Sequence, residues 1–132
     1  MSLWRRVVLV PILAGVSAVS LGTAGAGKAY AAADDNNAAR IYNGFKRYHG
    51  GCNHCHGPDG IGSTFGPSLV DRLPDIETFR SIVRDGTGKG ASVMKGFAGD
   101  PNVEPYIDDI YAYLRARATN ALGRGRPIWK GQ

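Results

Sequence analysis

Residues Gly51 to Gly60 read GCNHCHGPDG and hold both cysteines of the chain and two of its three histidines. Cys52, Cys55 and His56 form a C-x-x-C-H motif, and what that motif holds decides what kind of fold must surround it. A disulfide between Cys52 and Cys55 would close a loop too short to remove much chain entropy. A thioredoxin-like dithiol needs a βαβ setting, and no strand pattern precedes Cys52. Zinc has more donors to draw on, since His49, Cys52, His54, Cys55 and His56 all lie within eight residues. A closed zinc site takes two ligand pairs across a spacer that folds around the metal, and here there is no second pair.

C-x-x-C-H is also the attachment signature of c-type haem. Two thiols three residues apart can form thioethers along one edge of a porphyrin, and the next residue then sets its imidazole beneath the iron. Such attachment needs export from the cytosol, and the N-terminus is written for it. Arg5 and Arg6 precede an apolar run from Val7 to about Leu21, and Ala29-Tyr30-Ala31 is an A-x-A cleavage pattern. The run falls short of the roughly 20 apolar residues of a spanning helix, and Pro11 and Gly15 interrupt it. Residues 1–31 are therefore expected to be a cleaved signal peptide, with the mature protein periplasmic.

The precursor has 132 residues and a net charge of +5. Without residues 1–31, thirteen basic and eleven acidic residues remain, a net +2. That charge is uneven, because Arg115, Arg117, Arg124, Arg126 and Lys130 are the only charged residues after Leu114. For an exported protein nucleic acid is a poor partner, so the basic tail is either solvated or grips an acidic protein surface. A mature chain of this size can bury only a thin core, and a bound group is expected to help hold it.

Working outward from the motif, Ile41, Phe45 and Tyr48 recur at helical spacing, with a cap among Asp34 to Asn37 and a stop at Gly50-Gly51. Residues 57–67 have the glycine and proline content of a loop. A second helix is predicted over 74–85, and a third over 102–118 with Val103, Tyr106, Ile107, Ile110, Tyr111 and Leu114 on its period. No run alternates at period two. Gly86-Thr87-Gly88-Lys89-Gly90 lacks the spacing of a phosphate loop. Asp108 and Asp109 are adjacent on a helix, about 100° apart, and so do not form an acid/base pair.

Two further features corroborate haem. Met94 is the only methionine left after signal removal and sits in a glycine-rich loop, where its thioether is a candidate second axial ligand opposite His56. Lys89, Lys95 and His49 are rivals for that place, while His54 lies between the two anchors on the wrong side. Gly66-Pro67-Ser68-Leu69 offers the Pro67 carbonyl as acceptor for the other ring nitrogen of His56.

These residues together resemble the class I c-type cytochromes. The resemblance covers residues 38–118: Gly44 and Phe45 in the first helix, C-x-x-C-H at 52–56, Gly-Pro-x-Leu at 66–69, Met94, and an aromatic-rich last helix. It implies an all-α fold of three main helices and a short helix at the motif, in which the first and last helices cross through Gly44, Phe45 and Tyr111 or Leu114. Residues 32–37 would be a mature N-terminal segment and 119–132 a basic C-terminal tail. The implied cofactor is one covalent haem c on Cys52 and Cys55, with His56 and Met94 axial and Pro67, Leu69 and Phe65 in the pocket. Ile61, Phe65 and the Met94 loop would ring the exposed edge.

The stretches HGPDGIGSTFGPSL (56–69), DPNVEPYIDDIYAYLRARA (100–118) and ALGRGRP (121–127) further resemble periplasmic cytochromes that accept electrons from quinoprotein (PQQ-dependent) alcohol and methanol dehydrogenases. The implied role is a monomeric electron carrier, not an enzyme, passing electrons to another cytochrome or a terminal oxidase. In such loops proline often follows the axial methionine, whereas Lys95 stands here. The alternative is a haem enzyme or gas sensor with an open iron site.

Overall fold

The computed structural model describes residues 34–88 and 93–129. The predicted signal peptide, Lys89 and Lys130 lie outside them. Four α-helices carry the fold: α1 (Asp34–Gly51), α2 (Asn53–His56), α3 (Ile76–Asp85) and α4 (Ile107–Ala118). Short 3-10 turns at Pro58–Gly60 and Glu104–Tyr106 join them, as does a two-stranded antiparallel ladder, β1 (Gly86–Thr87) and β2 (Met94–Lys95).

The core follows from the apolar stripes. From α1 it takes Tyr48, from α3 Phe79 and Val83, and from α4 Ile107, Ile110, Tyr113 and Leu114, joined by Phe97 and Val103 from the connecting segments. α1 and α4 cross in backbone contact. A Cβ on Gly44 would meet the carbonyl of Asp109 and stand 2.5 Å from its carbonyl carbon, so only glycine permits the approach. Polar bonds flank the crossing, with Asn43 Nδ2 and Arg40 Nε donating to the two Asp109 carboxylate oxygens at 2.8 and 3.0 Å. Asp108 turns the other way and takes a bidentate pair of bonds from Arg80 on α3, at 2.8 and 2.7 Å. The two adjacent carboxylates thus serve separate helix contacts.

Several boundaries differ from the sequence expectation. The end of α1 is not one of them, for the helix stops at Gly51, just before Cys52, whose N–H donates to the Tyr48 carbonyl at 2.8 Å. α3 begins at Ile76, since the Asp75 side chain accepts from Thr78 N–H at 2.9 Å as its cap and leaves Pro74 outside. The last helix starts at Ile107, not Asn102. Pro105 disfavours helical geometry at Glu104, and the chain there makes tighter turns, with Tyr106 N–H on the Val103 carbonyl at 2.9 Å. The β1–β2 ladder is too short to leave a period-two pattern. The partner of Phe45 across the crossing is Tyr113, with ring centroids 5.7 Å apart. Tyr111 lies two residues earlier on α4 and faces α3, 5.3 Å from Phe79, with its hydroxyl donating to the Pro74 carbonyl at 3.1 Å.

Replacing Gly44 with alanine should therefore force α1 and α4 apart. The expected cost is about 3 kcal/mol, the upper part of the range for overpacking, read from guanidinium unfolding of the wild-type and Gly44→Ala proteins.

Candidate functional site

The end of α1 delivers Cys52, and the single turn of α2 carries Cys55 and His56. Cys52 is half-buried against the core and Cys55 is exposed, and no disulfide joins them. Burial first, and then the neighbouring Cys55, pushes the Cys52 thiol up to about 11. His56 is buried, with Nδ1 2.9 Å from the Pro67 carbonyl oxygen. A carbonyl can only accept, so Nδ1 carries the proton and Nε2 keeps its lone pair. This is the bond that the Gly-Pro-x-Leu segment led us to expect.

The loop after His56 closes back on the motif. Gly62 N–H donates to the His56 carbonyl at 2.8 Å, the Ser63 hydroxyl to the Cys55 carbonyl at 2.5 Å, and the Tyr48 hydroxyl to the Gly57 carbonyl at 2.6 Å. Gly66 passes so near that a Cβ would lie 2.8 Å from the Cys55 oxygen and 3.1 Å from His56 Nδ1. Leu69 N–H is tied to the Gly60 carbonyl at 2.8 Å, and the Leu69 side chain packs on the core.

Met94 sits on β2 paired with Thr87, half-buried, and packs against the same core cluster as Cys52 and Leu69. The motif, Gly66 and Pro67 are thus joined by direct contacts, while Met94 meets them through that shared core. Phe65 is 83% exposed, and Ile61 and Val93 are also large apolar side chains at the surface. Of the rivals, His49 has Nδ1 3.0 Å from the Phe45 carbonyl and Nε2 4.0 Å from Asp59, so both ring nitrogens face the chain's own groups. His54 is exposed. The Lys95 ammonium lies 4.8 Å over the Phe97 ring. Among the described residues no cluster of three His, Cys, Asp or Glu side chains is arranged to hold a bare metal ion.

The donor set fits haem c: two unpaired thiols, an imidazole whose Nδ1 is held by the Pro67 carbonyl so that Nε2 is left available as a ligand, and apolar side chains from the loops on either side. Residues 25–114 match the family described as "Cytochrome C oxidase, cbb3-type, subunit III". The chain belongs to this family of c-type cytochromes. Cytochrome c-553I of Paracoccus denitrificans is 42% identical over 92 residues, which is 65% of this chain and 41% of that protein. Cytochrome c-555 of Methylococcus capsulatus is 34% identical over 87 residues, covering 64% of this chain and 68% of the relative. The crystal structure of c-type cytochrome XoxG from Methylobacterium extorquens AM1 is 44% identical with a TM-score of 0.65, covering 70% of this chain and 59% of that one. This cytochrome therefore spans under two thirds of the length of two of these relatives. Its fold is the small helical cytochrome c fold, and its cofactor is haem c.

One residue of the loop escaped the sequence reading. Asp59 sits in the turn after His56 at φ 58°, buried, with its carboxylate accepting from the Tyr113 hydroxyl at 3.1 Å and from Gly125 N–H at 3.2 Å. Its only sequence signal was the Asp59-Gly60 pair, which reads as a turn and nothing more. Burial works against its charge. The Gly125 N–H, the Tyr113 hydroxyl and the Arg117 and Arg124 charges outweigh it and hold the carboxyl below the usual carboxylate range. Burial conversely pushes the Tyr48 and Tyr113 hydroxyls above theirs.

Two outcomes follow from these contacts. Gly66→Ala should misplace the loop against Cys55 and His56, giving a clear drop in the yield of covalently haem-stained protein on a denaturing gel. The Asp59 carboxyl has a folded pKa below its unfolded value of about 3.9, so its stabilisation is full above that pH and fades as the pH falls through the folded value. Wild type should exceed Asp59→Asn in unfolding free energy by about 2 kcal/mol at pH 6, as for hydrogen bonds to a charged group, and the gap should narrow as the pH falls below the unfolded value of about 3.9.

Proposed function

We propose that the protein is a periplasmic monohaem electron carrier that takes single electrons from a PQQ-dependent alcohol or methanol dehydrogenase and passes them to another cytochrome or a terminal oxidase. The observation that carries this is the 2.9 Å bond from His56 Nδ1 to the Pro67 carbonyl, which leaves Nε2 as a fixed nitrogen donor. Cys52 and Cys55 would anchor the haem covalently, and His56 Nε2 and the Met94 thioether would hold its iron. Haem c, when bound, supplies a one-electron Fe(III)/Fe(II) couple.

The rest is work for the protein's own side chains. Pro67 orients the imidazole, Leu69 packs the inner wall of the pocket, Phe65 stands exposed at its rim, and a nitrogen and a thioether ligand together would favour the ferrous state. With His56 and Met94 both holding the iron, no position would be open to oxygen or peroxide, which suits transfer of electrons and not catalysis. Ile61 and Phe65 ring the edge where a partner docks over a small, transient contact.

Periplasmic placement rests on the N-terminal signal pattern. Among the described residues no helix is long and apolar enough to cross a membrane. The dehydrogenase partner rests on the resemblance carried by residues 56–69, 100–118 and 121–127. We take the carrier to be a monomer of residues 32–132, with its haem domain over 38–118.

The oxidised wild-type protein should show a weak far-red band of methionine–iron ligation, absent in Met94→Ala, and only the variant should bind CO readily when reduced. CO binding by the reduced wild type would instead establish an open iron site. Among periplasmic dehydrogenases offered as donors, the PQQ-dependent alcohol enzyme should reduce the protein fastest.

A further inference from the structure

The basic tail is not a loose arm over its described length. Leu122 N–H donates to the Ala116 carbonyl at 2.9 Å, and the Leu122 side chain packs on the core. Arg117 Nη1 donates to the Leu122 carbonyl at 3.0 Å. Gly125 N–H reaches both Asp59 oxygens at 3.2 Å, and Arg124 Nε lies 3.4 Å from Oδ2. Further on, Pro127 is buried and the Trp129 ring lies 5.8 Å from that of Tyr42 on α1. Lys46 Nζ and the Arg126 guanidinium stand 5.2 and 5.9 Å from the same Tyr42 ring.

We propose that residues 119–129 are a strap, clasped by Asp59 to the turn that follows the haem motif, which sets Arg126 beside Lys46 of α1 as a fixed cationic face for the acidic face of a protein redox partner. This rests on the electron-carrier reading above. The strap carries no acid, and the one carboxylate it touches is only 7% exposed and already engaged. Among the described residues neither Lys46 nor Arg126 has a carboxylate within ion-pair distance, whereas Arg40, Arg80 and Arg84 on the helical surface each have one. Two cations leaning on one ring that is itself packed against the strap give up less freedom on docking than cations on a loose tail. Their charge steers encounter with an acidic surface.

An anionic membrane is the weaker match. Trp129, the side chain best suited to a lipid interface, is taken up by Tyr42, and Ile128, 94% exposed, is the one large apolar side chain that the strap leaves free. A few cations with so little apolar area hold a bilayer only feebly.

The clasp and the face can be tested separately on the haem-loaded protein. Trypsin should cut after Arg124 about tenfold faster in Asp59→Asn than in wild type, the open strap being the cleavable form. Gly125→Val, a β-branched residue that resists the φ of 91° at which this N–H meets Asp59 and that leaves the bond after Arg124 cleavable, should do the same if Asp59→Asn fails to fold. Equal cleavage rates in a folded variant would overturn the clasp.

For the face, poly-L-glutamate serves as the acidic probe in low-salt titration calorimetry. Lys46→Gln/Arg126→Gln should weaken its binding about tenfold, while Arg72→Gln/Arg84→Gln, with the same loss of charge, changes it less than about twofold. Equal weakening by the two pairs would overturn the face, as would tighter binding to phosphatidylglycerol/phosphatidylcholine vesicles than to the polypeptide. A reversible one-electron wave in voltammetry of every variant keeps these outcomes apart from a failure of the carrier reading, which would instead remove the wave from the wild type.

Discussion

The crossing of α1 and α4 at Gly44 is the constraint on which the remaining geometry depends. With backbone against backbone there, Phe45 and Tyr48 of α1 come within aromatic contact of Tyr113 on α4, at 5.7 and 5.6 Å. Tyr48 is then placed with its hydroxyl on the Gly57 carbonyl, one residue past His56. A side chain at position 44 would lever the helices apart and move the root of the haem motif with them. The Asp109 bonds to Arg40 and Asn43 set the register of the contact more than its strength, because partly exposed ion pairs add little free energy.

From that crossing the haem motif is held on two sides. α1 presents Cys52 from the core side, and the loop through Gly62, Ser63 and Gly66 binds the Cys55 and His56 backbone from the other. The loop itself has no regular structure to hold it. Its order comes from hydrogen bonds to the motif and from Asp59, which joins the loop to α4 through Tyr113 and to the tail through Gly125. A carboxylate in that position is stabilising only while its donors remain, because an unpaired buried charge is costly. The protein core is small, with the haem motif attached directly to it through Cys52. A covalent cofactor suits such a chain, since the anchored group adds apolar contacts that the chain alone cannot supply.

Local chemistry is what made the cofactor legible. Cys52, Cys55 and His56 are neighbours in sequence, and the thioether and imidazole roles depend on that spacing and not on distant contacts. The helical stripes of α1 and α4 were equally plain, while the glycine that lets them meet was named only through the resemblance to the class I c-type cytochromes. The Pro67 carbonyl could be named as the partner of His56 because a ligating imidazole commonly donates its other ring N–H to a backbone carbonyl and the Gly66-Pro67 turn follows closely on the motif.

Tertiary structure decided what depends on residues far apart. Tyr113 rather than Tyr111 meets Phe45, since neighbours two apart on a helix point to different sides and periodicity alone could not say which side faced α1. Where α4 begins was settled by the turns around Pro105. Asp59 looked like one more turn residue, and the tail like a solvated run of charge, until the fold brought positions 59 and 125 within hydrogen-bonding distance. The sequence by itself determined the haem chemistry and the helical class, because these are written in spacings of a few residues. Only the folded chain decided that the tail is bound to the haem-motif turn, because a pairing across 66 residues leaves no local pattern to read.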